Sequence, residues 1–417
     1  VYNCNKSKIE IKKINDDINV SKYKNISFNE AKNTTRDLIR RSVKSRSVSD
    51  VPIGTFLSGG VDSSIVSFCL SESSLKKIDT FSIGFDKKSF DETDRSREVA
   101  KLINSNHHEF RISHNDIKQY INEIILNFDE PFADSSALPT FLVSKFTSNE
   151  VKVALTGDGG DEVFGGYNKY YIGRLNNYYT TFMPEIFHQK FKSIFNKSNL
   201  IREDNRGFIF KVNRLLNSIN YSNDFYFNII SLGFQKDELE DLFVKDKLDK
   251  KSLNYYKKEK NNSLNDFRNI DKNISLEGDM LVKVDRTSMM NSLECRAPFL
   301  NKEIWNFTHS IPSHFLIKGW NKKYILKESF SEYFPDNFLN KSKKGFGVPV
   351  GDWLRINMRY ELCSYIDSDF IKKQNIFNLN YVKNLVDDHL NQRKDSTFKV
   401  WTYYCFQKWY KNIYEEL

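Results

Sequence analysis

The order of apolar segments predicts an α/β fold: a Rossmann-like parallel sheet with helices on both faces, followed by a mostly helical C-terminal region. Three observations carry this. Short strand-type runs alternate with helix-type stretches up to about Tyr167, two strand ends run directly into glycine-rich turns, and strand signals fade afterwards. Such alternation implies parallel pairing through right-handed crossovers. Ligands of such sheets bind beyond the carboxyl ends of the strands, where both turns fall.

Residues 1–27 are polar and lysine-rich without clear periodicity and read as a linker. In FNEAKNTTRDLIRRSVKSRS (28–47), Ala31, Leu38, Ile39 and Val43 share one helical face. VPIGTFL (51–57) is a short apolar strand, and SSIVSFCLSES (63–73) a buried helix. DTFSIGF (79–85) is the second strand and TDRSREVAKLINS (93–105) the second helix of the alternation. HHEFRIS (107–113), HNDIKQYINEIILNF (114–128) and EVKVALTG (150–157) continue it as strand, helix and strand. Residues 168–275 alternate aromatic-rich helical stretches with Lys/Asn-rich loops, and the remainder is mainly helical. The closing stripe of Trp401, Tyr404, Cys405 and Trp409 reads as core packing.

The 417 residues suffice for one large or two ordinary domains, and 34 Phe with 21 Tyr argue against disorder. No apolar run is long enough to cross a bilayer. The five cysteines lie far apart with no C-x-x-C pair, which argues against a zinc site or disulfide framework and suits a reducing cytoplasm. Neighbouring His107 and His108 would point to opposite faces of a strand. The formal charge is +9, but the lysines are dispersed among Asn, Ile and Asp, so the reading is a solvated basic surface with no nucleic-acid partner and no membrane.

The first turn reads LSGGVDSS (57–64). Losing β-carbons at Gly59 and Gly60 lets backbone N–H groups approach an anion, and the helix starting near Ser63 adds its positive end. Asp62 would repel a bare phosphate, so its presence makes sense with a divalent cation between carboxylate and phosphates. The loop is neither a Walker A motif, lacking G-K-[ST], nor G-x-G-x-x-G. The second turn, LTGDGGDEVFGGY (155–167), packs Asp158, Asp161 and Glu162 into five residues. These acids repel one another unless a cation or a base role holds them.

SGGVDSS resembles the pyrophosphate-binding loop of the PP-loop ATP pyrophosphatases. With GDGGDEVFGGY, LVKVDRTSMMNSLECRAPFL (281–300), KSKKGFGVP (341–349) and DEPFADSSALPTFLVSK (129–145), the chain resembles the synthetase domain of glutamine-dependent asparagine synthetases from about residue 28 to 417. The resemblance implies a nucleotide-binding α/β core (28–167) and a helical portion (168–417) that contributes substrate-site residues. It implies that Ser58, Gly59, Gly60, Asp62 and Ser63 hold the β- and γ-phosphates of ATP, with Asp62 and Asp161 on Mg2+. Leu57, Ile83, Thr156 and Gly157 would line the adenosine site. Asp158 stands where many relatives carry Glu, a position tied to the aspartyl-adenylate. Lys343 matches a lysine facing the α-phosphate, where a fixed cation acts in the transition state. Asp285 joins these as a catalytic candidate, with Lys283, Arg286, Glu294 and Arg296 bordering the substrate; a salt-bridged structural network explains the same residues equally well.

The implied function is an ATP- and Mg2+-dependent cytoplasmic ligase that adenylates the side-chain carboxylate of aspartate, releases pyrophosphate and transfers ammonia to give asparagine. Relatives carry an N-terminal glutaminase domain led by a cysteine, whereas this sequence begins at Val1 and Cys4 sits in a polar stretch. The expectation is a chain lacking that domain, which would be supplied in cis or in trans, with a homodimer as one arrangement. Two rivals stand: amidation of another carboxylate, such as a sugar uronate or a specialised metabolite, and a PP-loop RNA-modifying enzyme.

Overall fold

The structure, a computed structural model, describes residues 2–3, 8–9, 23–85, 91, 93–197, 212, 215–216, 219, 221, 229, 233–248, 263–341 and 348–414. Lys343 lies outside the described residues. In the stretch read as a linker, β1 (Tyr2–Asn3) pairs antiparallel with β2 (Lys8–Ile9).

Helix α1 (Phe28–Arg46) starts at a capping box in which Ser27 and Glu30 satisfy each other's orphan N–H groups. Its buried face carries Ala31, Leu38, Ile39 and Val43, as the periodicity predicts. The alternation then runs β3 (Ile53–Phe56), α2 (Val61–Ser73), β4 (Asp79–Phe85), α3 (Thr93–Leu102), β5 (Asn106–Ile112), α4 (His114–Leu126), α5 (Ala137–Thr147) and β6 (Val153–Leu155). A strand the periodicity did not reveal, β7 (Glu294–Arg296), follows far along the chain and pairs with β6.

The sheet order is β5-β4-β3-β6-β7, with every pairing parallel. The chain therefore grows outward from β3 to β4 and β5, then returns to place β6 on the other side of β3. Between β3 and β6 the winding reverses, which opens a crevice at their carboxyl ends. The two glycine-rich turns leave the sheet at these ends.

Side chains alternate between the faces. Phe81, Ile83 and Phe85 of β4 enter one core with Phe141, Trp353, Trp401 and Tyr404. Leu57 and Leu155 enter the other with Ile39, Ile65, Phe299 and Leu326. Each such fully buried side chain contributes about 2 kcal/mol relative to exposure. Later helical segments thus cover both faces: residues 299–339 join the α1–α2 side, and 350–405 the α4–α5 side. Of the C-terminal aromatic stripe, Trp401, Tyr404 and Cys405 are buried as core. Among the described residues no helix is long and apolar enough to cross a membrane.

Candidate active site

The first turn leaves β3 at Phe56, and the Leu57 N–H still donates to Phe81 O at 2.7 Å. Gly60 caps α2 without a side-chain hydrogen bond, so the helix presents backbone N–H groups at its positive end. Ser58 and Ser63 face each other across the turn, with hydroxyl oxygens 3.0 Å apart. Asp62 occupies the first turn of α2.

The second turn follows β6. The Thr156 N–H extends the ladder to Arg296 O at 2.8 Å. The chain then bends into the short helix α6 (Gly160–Phe164) through Gly159, whose φ is 83°. Buried Arg268 holds the far end of α6, donating to Glu162 O at 2.8 Å and Val163 O at 2.6 Å. These bonds tie down the C-terminal part of α6, the helix that carries Asp161.

The two turns interlock. A β-carbon at Gly160 would overlap the Asp62 carboxylate, and one at Gly166 would overlap both the Asp161 carboxylate and the Lys323 stem. Lys323 Nζ lies 2.5 Å from Asp62 Oδ2 and 2.7 Å from Asp161 Oδ1. One cation therefore touches both carboxylates. Burial alone would pull the Lys323 ammonium down, but Asp161 and Asp62 outweigh it and hold its pKa above the usual value.

The donor chemistry fits a divalent ion, at a point that the Lys323 ammonium occupies in this structure. Two carboxylate oxygens converge on one point in a cradle without β-carbons, the hard-oxygen chemistry magnesium takes. No group of three or more His, Cys, Asp or Glu side chains able to hold a metal occurs among the described residues. The remaining positions would fall to phosphate oxygens and water, the usual division for nucleotide-bound magnesium. Next to Asp161, Glu162 is buried and accepts from Tyr167 Oη at 2.7 Å. Burial and then the Asp161 charge push its carboxyl up to about 7.

Leu57, Ser58, Asp62, Ser63, Ile83, Thr156, Gly157, Asp158, Asp161 and Lys283 line one cavity of about 810 Å³, with Gly59 and Gly60 in the turn beneath. A second cavity of about 480 Å³ shares Thr156, Asp158 and Val284 with the first and contains Asp285 and Glu294. Arg286 and Arg296 line neither. Arg286 pairs with Asp129. Arg296 bonds Glu294 at 2.7 Å and two carbonyls, Arg46 O and Val48 O, at 2.8 Å each. Here the salt-bridge reading describes what the side chains do.

Sequence reasoning missed Lys323 and Arg268, and with them Asp134, Asp279, Phe398 and Thr402, the last four of which line the large cavity. Lys323 stands in WNKKYILKES, where adjacent lysines give no hint of a buried one; it has a left-handed backbone, φ 51°. Asp134 falls within DEPFADSSALPTFLVSK, a stretch singled out as a whole.

Comparison with known proteins completes the description. A family model described as "Asparagine synthase" matches residues 34–411. The chain is 30% identical over 391 residues to asparagine synthetase [glutamine-hydrolyzing] 1 of Bacillus subtilis, covering 90% of this chain and 58% of that protein. It is 29% identical over 378 residues to a putative asparagine synthetase [glutamine-hydrolyzing] of Mycobacterium tuberculosis, covering 89% and 56%. For a putative asparagine synthetase [glutamine-hydrolyzing] 2 of Methanocaldococcus jannaschii the identity is 35% over 262 residues, covering 61% and 48%. The chain spans about half the length of these relatives, and it belongs to the asparagine synthase family.

Proposed function

We propose that this asparagine synthase family member is an ATP-dependent amide ligase. It activates the side-chain carboxylate of aspartate as an acyl-adenylate and passes it to ammonia, giving asparagine, AMP and pyrophosphate. The observation that carries this reading is the meeting of Asp62 and Asp161, from two separate turns, on one cation.

A carboxylate is a poor acyl donor because its oxygen leaves badly. Its attack on the α-phosphate of ATP forms an O–Pα bond and breaks the bond to pyrophosphate, so that the same oxygen later leaves as part of AMP when ammonia attacks the carbonyl carbon. Ser58, Ser63 and the N-terminal turn of α2 would bind the β- and γ-phosphates. Asp62 and Asp161 would hold Mg2+, which when bound neutralises phosphate charge. The Lys323 ammonium, paired with both carboxylates, would balance their charge until the metal binds. Leu57, Ile83, Thr156 and Gly157 would seat the adenosine, so that the α-phosphate points toward Asp158. Asp158 borders both cavities and would take the proton that the attacking nitrogen loses. Lys343, outside the described residues, is assigned the charge developing on the α-phosphate; its removal would lower turnover more than ATP affinity. The work is positioning and charge neutralisation.

The three relatives above are named as glutamine-hydrolysing, and ammonia would come from a glutaminase domain in cis or in trans. The experiment is pyrophosphate release from ATP with Mg2+, ammonium and aspartate. Product with ammonium is expected, and no release with any carboxylate would overturn the reading.

A further inference from the structure

The large cavity has a second charged wall. The helix Leu264–Asp271 widens into π-helical turns over Lys272–Leu281 and resumes as α-helix over Val282–Met289. The wide turns bring Gly278 and Asp279 to the cavity. Lys283 Nζ, buried beneath them, donates to Asp134 Oδ2 and Ser136 Oγ at 2.8 Å each. Asp279 lines the same cavity as Asp134 and feels its charge.

Counting charge across this wall, Lys283 cancels Asp134, and Asp279 remains. Burial, then the charge of Asp134, pushes the Asp279 carboxyl up to about 6, against the opposing pull of Lys283 and of Lys169 from the helix Asn168–Phe182. A cavity-lining carboxylate whose charge is disfavoured by burial and by a neighbouring acid marks a place where a cation is welcome. An acceptor bearing an ammonium supplies that cation without disturbing the Asp134–Lys283 pair, whereas an acceptor carrying only carboxylates meets repulsion. A β-carbon at Gly278 would meet nothing within 4 Å among the described residues, which leaves room at this position.

We propose that Asp279 is the specificity-determining residue that binds the α-ammonium of an amino-acid acceptor, with Asp134 held in position by Lys283. The proposal rests on the ligase reading and separates an amino acid from a sugar uronate as its substrate. The ammonium replaces the proton on Asp279, and the side-chain carboxylate is left free to meet the nucleotide.

The experiment compares wild type with Asp279→Asn and Asp279→Glu, each checked by thermal melting. Pyrophosphate release with ammonium is measured for L-aspartate, succinate and glucuronate, and aspartate binding is followed separately by saturation-transfer NMR. Asp279→Asn should raise KM for aspartate about ten- to hundredfold with KM for ATP and kcat nearly unchanged, and Asp279→Glu should restore part of the loss. Aspartate binding in NMR should weaken in parallel, a readout that holds even without turnover. Equal aspartate binding by wild type and Asp279→Asn, or no binding by wild type, would overturn the assignment. Turnover of glucuronate or succinate in preference to aspartate would also overturn it while leaving the ligase reading intact.

Discussion

Two clusters in the same cavity have the same composition, two aspartates and one lysine, yet behave in opposite ways. Around Asp62 and Asp161 the ammonium of Lys323 sits between both carboxylates, at 2.5 and 2.7 Å. Around Asp134 and Asp279 the ammonium of Lys283 serves Asp134 at 2.8 Å, and Asp279 keeps its proton up to about 6. The difference is backbone geometry. Interlocked glycine turns converge the first pair on one point, whereas a loop and a π-helical turn set the second pair side by side. Composition alone therefore does not decide whether an acid pair shares a cation or has one member pushed toward its protonated form.

The sharpest way to break this contrast is to remove one acid from the first cluster. Asp62→Ala should lower ATP–pyrophosphate exchange by about a thousandfold, the scale of losing a metal-held transition state, with the fold retained by circular dichroism. Retained exchange would dissolve the distinction between the clusters.

Exchanging the lysines gives the next largest effect. Lys323→Met and Lys283→Met each leave two carboxylates without their shared or adjacent cation, and each should lower Tm by about 5–10 °C. Magnesium should recover part of the loss in Lys323→Met and none in Lys283→Met. Equal recovery in both would show that the second pair also collects metal.

The smallest effect lies in pH. The Asp279 pKa is raised from 3.8 to about 6 in the folded chain. Between these values the folded state binds more protons than the unfolded one, so this group's contribution to stability falls as pH rises. Asp279→Asn should therefore raise Tm by a few degrees at pH 7.5, with the gain vanishing toward pH 4. A gain independent of pH would contradict the raised pKa. A stabilising change that costs acceptor binding is expected where function needs an unfavourable charge.

Much of the fold was legible because strand and helix periods differ and because β3, β4 and β6 sit in apolar segments next to turn or helix signals. The three-residue β7 was not. Its Glu294 and Arg296 flank Cys295 at the sheet edge, a pattern with no apolar alternation to detect. The two turns were legible from glycine and acid density, which few other roles demand. Lys323 was not, because a buried lysine differs from its exposed neighbours only through tertiary partners. Asp279 escaped for a related reason, since the π-helical turns that carry it leave no mark in a 3.6-residue period. The contribution of Phe398 and Thr402 depends on docking of the C-terminal helix, where Trp401 Nε1 donates to Ala133 O at 2.8 Å.

A double-mutant cycle on metal binding tests whether Asp62 and Asp161 hold one metal ion in common. Manganese affinity in the presence of ATP, read by electron paramagnetic resonance, would be measured for wild type, Asp62→Ala, Asp161→Ala and the double variant. If both carboxylates hold one ion, each single change removes most of the nucleotide-dependent binding and the second adds little to the first. Losses that add independently, or a single variant that binds manganese as wild type does, would mean that the two turns do not grip a common ion.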